Sequence, residues 1–363
     1  MIREQHGNLL EAKAEALVNT VNTVGVMGKG IALQFKRAFP ANYKAYKRAC
    51  DQGDVELGRM LVWDAGALAK DGPRYVINFP TKKHWRSKSR LEDIEAGLRD
   101  LVRIVADLSI RSIALPPLGC GHGGLRWEDV RPVIVGAFEG AQEVDVQLFP
   151  PEGAPAAADQ PVRTDRPRMS AGRAALIGIL DRYLPYALEV TSVDIQKLMY
   201  FMQEAGEPLR LNYSKGRYGP YADNLRHVLS SMEGHYIRGV GDGSQKALEA
   251  LPFELLPGAV NDANNFLAAL PDTRQRFERV AALIEGYEST YGLELLATVH
   301  WAATRVEAID TSGPGADEKG IAAIVQSWNE RKGKLFTARH ITVALSRLRT
   351  LGWFASAETA TLF

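Results

Sequence analysis

The chain has 363 residues, a length that predicts two domains of ordinary size. Its formal net charge is +1, which excludes a polycation that binds nucleic acid over its whole surface, so any basic site must be local. Two cysteines are too few for a disulfide framework. There is no signal-peptide core and no apolar run of the roughly 20 residues that a membrane span needs. These features predict a soluble, cytoplasmic protein.

The first part of the chain alternates short apolar runs with helical patterns. Four runs have the β-branched or apolar character of buried strands: residues 16–22, 74–80, 111–118 and 143–149. Between them, apolar residues recur at spacings of three and four, as in Ile94, Leu98 and Leu101. Strands that alternate with helices and are apolar on both faces predict a three-layer α/β/α domain over residues 1–150.

A proline-rich stretch divides the chain. Residues 150–170 hold five prolines, which exclude a helix interior or a central strand, and we predict an extended linker over residues 151–170. Beyond it, residues 171–363 show mainly the periodicity of helices, with Ser192 and Thr337 as expected N-caps. The sequence therefore predicts a second, mainly α-helical domain.

The first motif is a glycine-rich connection between a strand and a helix. In NTVNTVGVMGKGIALQFK, the strand ends with Asn19 and Asn22, and the glycines of GVMGKG lead into the helix. Glycines let bare N–H groups approach a ligand, and the helix adds the positive end of its dipole. The spacing matches neither a P-loop nor a dinucleotide-binding fingerprint. The motif indicates a phosphate-binding loop, and a connection that binds nothing is the alternative.

A second glycine-rich segment, ALPPLGCGHGGLRWEDV over residues 114–130, also joins a strand to a helix. If the two strands are neighbours, both loops lie at the carboxyl edge of the sheet, where ligands of α/β proteins bind. Two such loops suit a diphosphate. Cys120 lies between glycines here, but no His–carboxylate arrangement accompanies it. We therefore interpret it as a buried thiol rather than a nucleophile.

The third segment, NFPTKKHWRSKSR over residues 78–90, is locally basic. It holds five cations and no acid, together with His84 and Trp85. It begins where a predicted strand ends, so we expect it at the same sheet edge as the glycine loops. Cations can follow a phosphate backbone while Trp85 stacks on a base. A solvated loop that only favours solubility is the alternative.

Together these three segments resemble a macrodomain, whose mixed sheet lies between helices. More narrowly, they resemble the DarG branch of the ADP-ribosyl glycohydrolases. The resemblance covers residues 1 to about 150, and its motifs occur in the family's order and on the family's elements. Members of this branch remove ADP-ribose from thymidine bases in single-stranded DNA or from carboxylates in proteins. The histidines and cysteines of the sequence show no metal-ligand spacing, so no metal and no cofactor are expected.

The resemblance also implies a role for each motif in this sequence. Lys82 matches the lysine that acts at the anomeric carbon, and Asn22 is expected to meet the distal ribose. The implied ADP-ribose contacts are Asn8, Leu9, Asn19, Asn22, Gly28, Lys29, Gly30, Ile31, Gly119, Cys120, Gly121, His122, Gly123, Gly124 and Leu125. The implied DNA contacts are Lys83, His84, Trp85, Arg86 and Lys88.

Two positions depart from the family pattern. Asn8 stands where many macrodomains have an aspartate that accepts from the adenine amino group, although an amide oxygen can still accept. After Gly121, the run His122-Gly123-Gly124 replaces an aspartate that serves as a second catalytic group in a human relative. This departure disfavours hydrolysis of carboxylate-linked adducts on proteins and favours DNA as the substrate.

The expected chemistry requires an activated lysine. Cleavage of an N-glycosidic bond needs a rigidly held ribose, a stabilised leaving group and a nucleophile. Burial, or a neighbouring cation such as Lys83, would lower the pKa of Lys82 and free its lone pair. Lys82 then either attacks the anomeric carbon or stabilises the departing base, and a simple phosphate contact is the alternative. His84 and His122 are of the residue type that could assist proton transfer.

The second domain carries no recognisable catalytic signature. Its most distinctive run, IQKLMYFMQEAG followed by RYGPY, resembles a helical domain of several toxin–antitoxin systems. The DarG resemblance implies that this domain binds and blocks a DarT-like DNA ADP-ribosyltransferase toxin. Tyr213, Arg217, Tyr218 and Tyr221 are interface candidates that could equally be core and turn residues. For the whole chain, the alternatives are a non-catalytic ADP-ribose reader and a hydrolase of ADP-ribosylated protein.

Overall fold

The computed structural model describes residues 1–66, 72–244, 252–305 and 318–354. These residues form two compact units. The first comprises Met1–Asp165 together with residues 241–244, and the second comprises Arg166–Val240 and the described residues from 252 onward. Within the described residues, no helix combines the length and the apolar character that a membrane span needs.

The first unit is built on a six-stranded mixed sheet. Its strands are β1 (Ile2–Glu4), β2 (Ala16–Asn22), β3 (Leu61–Asp64), β4 (Tyr75–Lys82), β5 (Ser112–Leu115) and β6 (Asp145–Leu148). They lie in the order β1-β6-β5-β2-β4-β3. Among the described strands of this sheet, the edge strand β3 pairs antiparallel with β4 and the other pairings are parallel. The strands β5, β2 and β4 are therefore neighbours, as the predicted position of the glycine loops requires.

Helices cover both faces of this sheet. They are α1 (Gly30–Ala38), α2 (Pro40–Gln52), α3 (Leu91–Asp107) and α4 (Trp127–Phe138). Successive residues of β4 point to opposite faces, so Val76 packs in the core that contains Phe35, while Ile77 packs in the core that contains Leu98. The predicted three-layer α/β/α architecture with a mixed sheet is confirmed.

The strand predictions agree with the structure to different degrees. The run 16–22 coincides with β2, whereas the run 111–118 yields a strand that ends at Leu115. The early end has a simple cause, because Pro116 and Pro117 have no N–H to donate to a ladder. The short edge strands β1 and β3 were missed, since three or four half-exposed residues give little periodic signal.

The predicted linker contacts the first unit through its backbone. A short 3-10 turn spans Ala157–Asp159, and the carbonyl of Asp159 accepts a hydrogen bond from the Asn8 side chain at 2.7 Å. Further along, the N–H of Arg163 donates to the carbonyl of Arg37. The boundary between the two units falls after Asp165, inside the proline-rich stretch.

The second unit is mainly helical, as predicted. Its helices are α5 (Ala171–Tyr183), α6 (Ser192–Glu204), α7 (Leu225–Met232), α8 (Ala259–Leu267), α9 (Pro271–Ile284), α10 (Thr290–Arg305), α11 (Glu318–Gln326), α12 (Glu330–Leu335) and α13 (Ala338–Thr350). Four short strands, β7 (Tyr213–Gly216), β8 (Gly219–Ala222), β9 (Ile237–Arg238) and β10 (Glu254–Leu255), form two antiparallel pairs. One apolar cluster joins these helices.

One of the two predicted helix caps is displaced by a residue. Thr337 caps α13 as predicted, because its side chain accepts from the N–H of His340. Ser192 is not an N-cap, since α6 is capped by Thr191 in a reciprocal capping box with Asp194. Asp194, at the third position of the helix, completes the capping box with its carboxylate. The sequence analysis did not identify this pair.

The distinctive run of the second unit has a structural explanation. The buried Lys197 of α6 donates to the carbonyl of Pro220 at 2.6 Å, and the Gln196 amide pairs with the backbone of Ala222 in both directions. These bonds attach the β7–β8 hairpin to α6. Tyr213 is also held there, because its hydroxyl donates to the carbonyl of Gln196. Among the predicted interface residues, Tyr213 is therefore a packing residue and Tyr221 is exposed.

A glycine in α3 provides a test of the packing between this helix and the sheet. A methyl group at Gly97 would overlap the ring of Phe79, so Gly97→Ala should lower the free energy of unfolding by about 1–3 kcal/mol. The measurement is urea denaturation of the full chain, with helix α3 followed by hydrogen exchange.

The matched control is Gly136→Ala in α4, where the added methyl group meets no atom within 4 Å. This substitution should leave stability unchanged or raise it slightly, since alanine favours the helix. Equal effects of the two substitutions would contradict the packing described.

Candidate active site

The first glycine loop is held in shape by Asn22. Its side-chain amide donates to the carbonyl of Val26 at 2.6 Å, and its Oδ1 accepts from the N–H groups of Val24 and Val26. The hydroxyl of the buried Tyr46 donates to the Asn22 carbonyl at 2.6 Å. Asn22 is only 5% exposed, so its visible role is to shape the loop that leads to Gly28.

Asn19, at the middle of β2, is fully buried. Its side-chain nitrogen donates to Oδ1 of Asn78 at 3.0 Å, and Asn78 in turn donates to Asn42 at 2.8 Å. The network joins β2, β4 and α2 beneath the first loop. The structure therefore gives Asn19 a supporting position under the predicted ADP-ribose site rather than an exposed one.

Helix α1 follows the first loop and begins at Gly30. Its N-cap residue Lys29 makes no side-chain capping bond, and Gly30 has φ +60°, a value that glycine adopts at low cost. Ile31 packs against the core on this side of the sheet, which fixes the start of the helix. The N–H groups of the first turn and the helix dipole make this end favourable for an anion.

The second glycine loop is a tight turn that needs its glycines. Gly119 and Gly124 have positive φ, and a methyl group at Gly123 would overlap both the carbonyl of Gly119 and the hydroxyl of Ser89. The N–H of Leu125 closes the turn by donating to the carbonyl of Gly119. The exposed Gly121 and His122 lie at its tip.

The basic segment contacts both glycine loops. Ser89 is buried and its N–H donates to the carbonyl of Gly123, while the N–H of Thr23 donates to the carbonyl of Lys83. Lys82 is paired with Asn22 in the β2–β4 register. The three predicted segments therefore meet at the carboxyl ends of β2, β4 and β5. Sequence reasoning missed Ser89, because no periodicity or motif singles out one serine in a basic loop.

The electrostatic environment of Lys82 differs in one respect from the prediction. Burial lowers the pKa of the half-buried Lys82 below its ordinary value, and the Lys88 cation lowers the pKa further. The neighbouring cation is thus Lys88 rather than Lys83. Lys88 lies across the second glycine loop, with its Nζ 3.0 Å from the position of a methyl group on Gly124.

The surroundings of His122 and Cys120 shift both pKa values in the direction that favours the neutral side chain. Desolvation lowers the pKa of His122, and the cations Lys29 and Lys82 lower it further. Burial raises the pKa of the Cys120 thiol to about 11, with a smaller effect from the carboxylates of α4. A protonated thiol is a poor nucleophile, which agrees with the interpretation of Cys120 as an unreactive side chain.

The remaining predicted DNA contacts form an exposed surface. Lys83, His84, Trp85, Arg86 and Lys88 are all exposed, and Trp85 is 45% exposed. The guanidinium of Arg86 lies 4.4 Å from the centre of the Trp85 ring, and the His84 ring lies 5.2 Å away. The surface offers both cations and an accessible aromatic face.

Asn8 follows the edge strand β1 and caps the short turn of Leu9–Glu11. Its Oδ1 accepts from the N–H of Leu10 at 3.0 Å, and its side-chain nitrogen donates to the carbonyl of Asp159. An amide oxygen has a second lone pair, so it can accept once more. Asn8 also lines a cavity of about 450 Å³ together with Phe149. Leu9 is buried and contributes to the core.

Comparisons with known proteins identify relatives of this chain. Residues 18–134 match the Macro domain family. A DNA ADP-ribosyl glycohydrolase of Thermus aquaticus is 47% identical over 353 residues, covering 97% of this chain and 94% of the relative. A solved structure, the macrodomain of Mycobacterium tuberculosis DarG, is 56% identical, with a TM-score of 0.41, and covers 42% of this chain and 99% of its own.

A further relative joins two activities in its name. It is a DNA ADP-ribosyl transferase–DNA ADP-ribosyl glycohydrolase fusion protein of Thermosipho africanus, 35% identical over 158 residues, which are 40% of either chain. The fold and the glycine loops thus define the first unit as a macrodomain. With near full-length identity to the Thermus relative, the chain as a whole belongs to the DNA ADP-ribosyl glycohydrolase family.

The position of Lys88 leads to a pH test. Lys88→Gln removes the neighbouring cation, so the pKa of Lys82 should rise and the midpoint of the pH–rate profile should move to higher pH. If Lys82 acts as a neutral nucleophile, the affected limb rises with pH, and if it acts as a cation, that limb falls. The measurement is kcat against pH on an ADP-ribosylated oligonucleotide.

Lys83→Gln is the matched control, since it removes a charge one residue from Lys82. Its midpoint should stay at the wild-type value. A Lys88→Gln profile that coincides with the wild-type profile would show that Lys88 does not influence the reacting group.

Proposed function

We propose that this protein hydrolyses the N-glycosidic bond between ADP-ribose and thymidine bases in single-stranded DNA. The observation that carries the proposal is the position of Lys82. Lys82 is the last residue of β4 and lies beside the two glycine loops, where it is half-buried and its pKa is lowered. The chain also belongs to a family of DNA ADP-ribosyl glycohydrolases. The lowered pKa makes the neutral amine of Lys82 more accessible, which attack on the anomeric carbon requires and a simple phosphate contact does not.

The ADP-ribose lies across the two glycine loops in this proposal. Residues 28–31 and 119–124 present backbone N–H groups and the N-terminus of α1 to the diphosphate and distal ribose. Lys29, Lys82 and Lys88 surround this edge, as their shared effect on the pKa of His122 indicates. The clustered positive charge favours a dianionic ligand.

Two roles for Lys82 fit the chemistry. As a nucleophile, its neutral Nζ donates its lone pair to the anomeric carbon while the bond to the thymine nitrogen breaks and the base leaves with that electron pair. The base then takes a proton, and water hydrolyses the glycosyl–lysine adduct to release ADP-ribose. As a cation, Lys82 instead stabilises the departing base while water attacks the anomeric carbon.

The exposed basic loop supports DNA as the carrier of the adduct. Its cations can follow a phosphate backbone, and the Trp85 ring can stack on a base next to the modified thymidine. Arg86, placed over one part of this ring, adds a charge where the strand would pass. The sequence from Thr81 to Arg90 contains no acid that would repel the strand.

A DarT-like ADP-ribosyltransferase is the proposed partner of the second unit. The fusion relative, in which transferase and glycohydrolase share one chain, supports a functional pairing of the two activities. We assign residues 1–150 to hydrolysis and residues 171–363 to toxin binding, joined by the proline-rich linker. The separate apolar core of the helical unit is consistent with an interaction module.

Lys82→Ala tests the catalytic assignment. Turnover of ADP-ribosylated single-stranded oligonucleotide should fall by at least about 100-fold, since a group that acts at the reacting carbon is lost. The affinity for free ADP-ribose should change much less. Mass spectrometry follows the adduct, and calorimetry measures the affinity.

Lys44→Ala, which removes an exposed lysine from α2, is the matched control and should turn over at the wild-type rate. Tight ADP-ribose binding with no turnover by the wild-type protein would indicate a reader module. Turnover only of protein-linked ADP-ribose would indicate the protein-hydrolase alternative.

Trp85→Ala tests the DNA surface separately from the chemistry. Loss of one stacking contact should raise KM for a modified oligonucleotide about tenfold, and leave hydrolysis of a single ADP-ribosylated thymidine nucleotide unaffected. Equal effects on both substrates would place Trp85 in the ribose site instead of on the DNA path.

A further inference from the structure

Residues 241–244 form part of the first unit, although they come long after the macrodomain in sequence. The segment is Gly241-Asp242-Gly243-Ser244, and both of its glycines have positive φ. The side chain and N–H of Ser244 donate to Oδ1 of Asp242, which makes a compact turn. No motif in the sequence relates this turn to the glycine loops.

The turn is bound to one face of α1. The N–H of Gly30 donates to the carbonyl of Asp242 at 2.9 Å, and the amide of Gln34 donates to Oδ2 of Asp242 at 2.8 Å. One turn further along, the guanidinium of Arg37 donates to the carbonyl of Gly241 at 2.6 Å. Positions 30, 34 and 37 share a face of the helix, so the three contacts act together.

Asp242 is the most enclosed residue of the turn. It is 3% exposed, and its partner Gln34 is equally buried. Next to it, Gly243 lies beside Lys29, with a methyl group at Gly243 placed 3.8 Å from Cγ of Lys29. The charge of Asp242 also raises the pKa of His122, against the lowering effects of desolvation and of Lys29, Lys82 and Lys88. The carboxylate therefore influences both glycine loops.

This placement conflicts with a bound diphosphate. The N–H of Gly30 is the first donor of α1, in the stretch 28–31 that is proposed to hold the ADP-ribose diphosphate. One N–H cannot donate a full hydrogen bond to the Asp242 carbonyl and to a phosphate oxygen at once. In addition, the carboxylate and the diphosphate are both anions that a helix N-terminus stabilises, and they repel each other at short range.

We propose that residues 241–244 are an intrachain competitor of ADP-ribose, which must leave the N-terminus of α1 before the diphosphate binds. Asp242 is the anion that the site holds in the absence of substrate. The inference rests on the proposed function, since it assumes that ADP-ribose binds at residues 28–31. If the turn is bound to α1 in most molecules, only a small fraction of the protein can bind ADP-ribose. The apparent Kd is then the intrinsic Kd divided by that fraction.

Calorimetric titration of the full chain with ADP-ribose tests the proposal. Asp242→Ala removes the carboxylate and its bond to Gln34, and should lower the Kd for ADP-ribose by about threefold to tenfold. Gly243→Ala strains the turn, because Gly243 has a φ of +70°, and it changes no side chain of α1. This substitution should also lower the Kd for ADP-ribose. Asp181→Ala removes an exposed carboxylate from α5 as the matched control and should leave the Kd unchanged.

Hydrogen exchange provides the second readout on the same proteins. Saturating ADP-ribose should protect the amides of residues 28–33 and increase exchange across residues 240–244 of the wild-type chain, because the turn is released. Protection of both segments, or a higher Kd for Asp242→Ala, would overturn the proposal and make the turn a part of the bound site. An unchanged Kd in both turn variants would also overturn it. Absence of ADP-ribose binding in every variant would instead contradict the proposed function itself.

Discussion

The parallel pairing of β2 with β4 is the constraint on which the whole site depends. A parallel pair brings the carboxyl ends of its strands together, so the first glycine loop and Lys82 emerge side by side. Pro80 interrupts the ladder because it has no N–H, and the register shifts so that Asn22 pairs with Lys82 instead of Thr81. The hydroxyl of Thr81 donates to the carbonyl of Val21 at 3.4 Å and so adds a side-chain hydrogen bond between the two strands.

The buried amides below this pairing maintain it. Asn78 hydrogen-bonds to both Asn19 and Asn42 where β2, β4 and α2 meet. Loss of Asn78 would leave the buried donor groups of Asn19 and Asn42 without this partner, which is costly at such depth, so Asn78 links the positions of the other two. The network therefore favours a single arrangement of the strands, and the position of Lys82 follows from it.

The sequence predicted those features that depend on neighbouring residues. The three layers, the meeting of three segments at one sheet edge and the cap at Thr337 follow from periodicity, glycine clusters and local hydrogen bonding. The role of Ser89 could not be predicted, because its N–H meets Gly123 across 34 positions of sequence. The same limit explains why Lys88, and not the expected Lys83, lowers the pKa of Lys82. The path of the loop determines which of its cations lies near Lys82, and spacing in sequence does not reveal that path.

The contact between residues 241–244 and α1 could not be predicted from the sequence either. The partners of these residues on α1 lie more than 200 positions earlier, and a Gly-Asp-Gly-Ser run is typical of an ordinary exposed loop. Buried contacts at such separation leave no periodic trace. The Lys197–Pro220 bond in the second unit spans only 23 positions, but it was also not predicted. The sequence showed a distinctive run there, and the structure shows that this bond attaches a hairpin to a helix.

The bond from the N–H of Ser89 to the carbonyl of Gly123 joins the exposed basic loop to the second glycine loop. A displacement of one is therefore transmitted to the other through a single buried residue. Substitution of Ser89 would therefore alter the geometry of both loops, although the residue lies in only one of them.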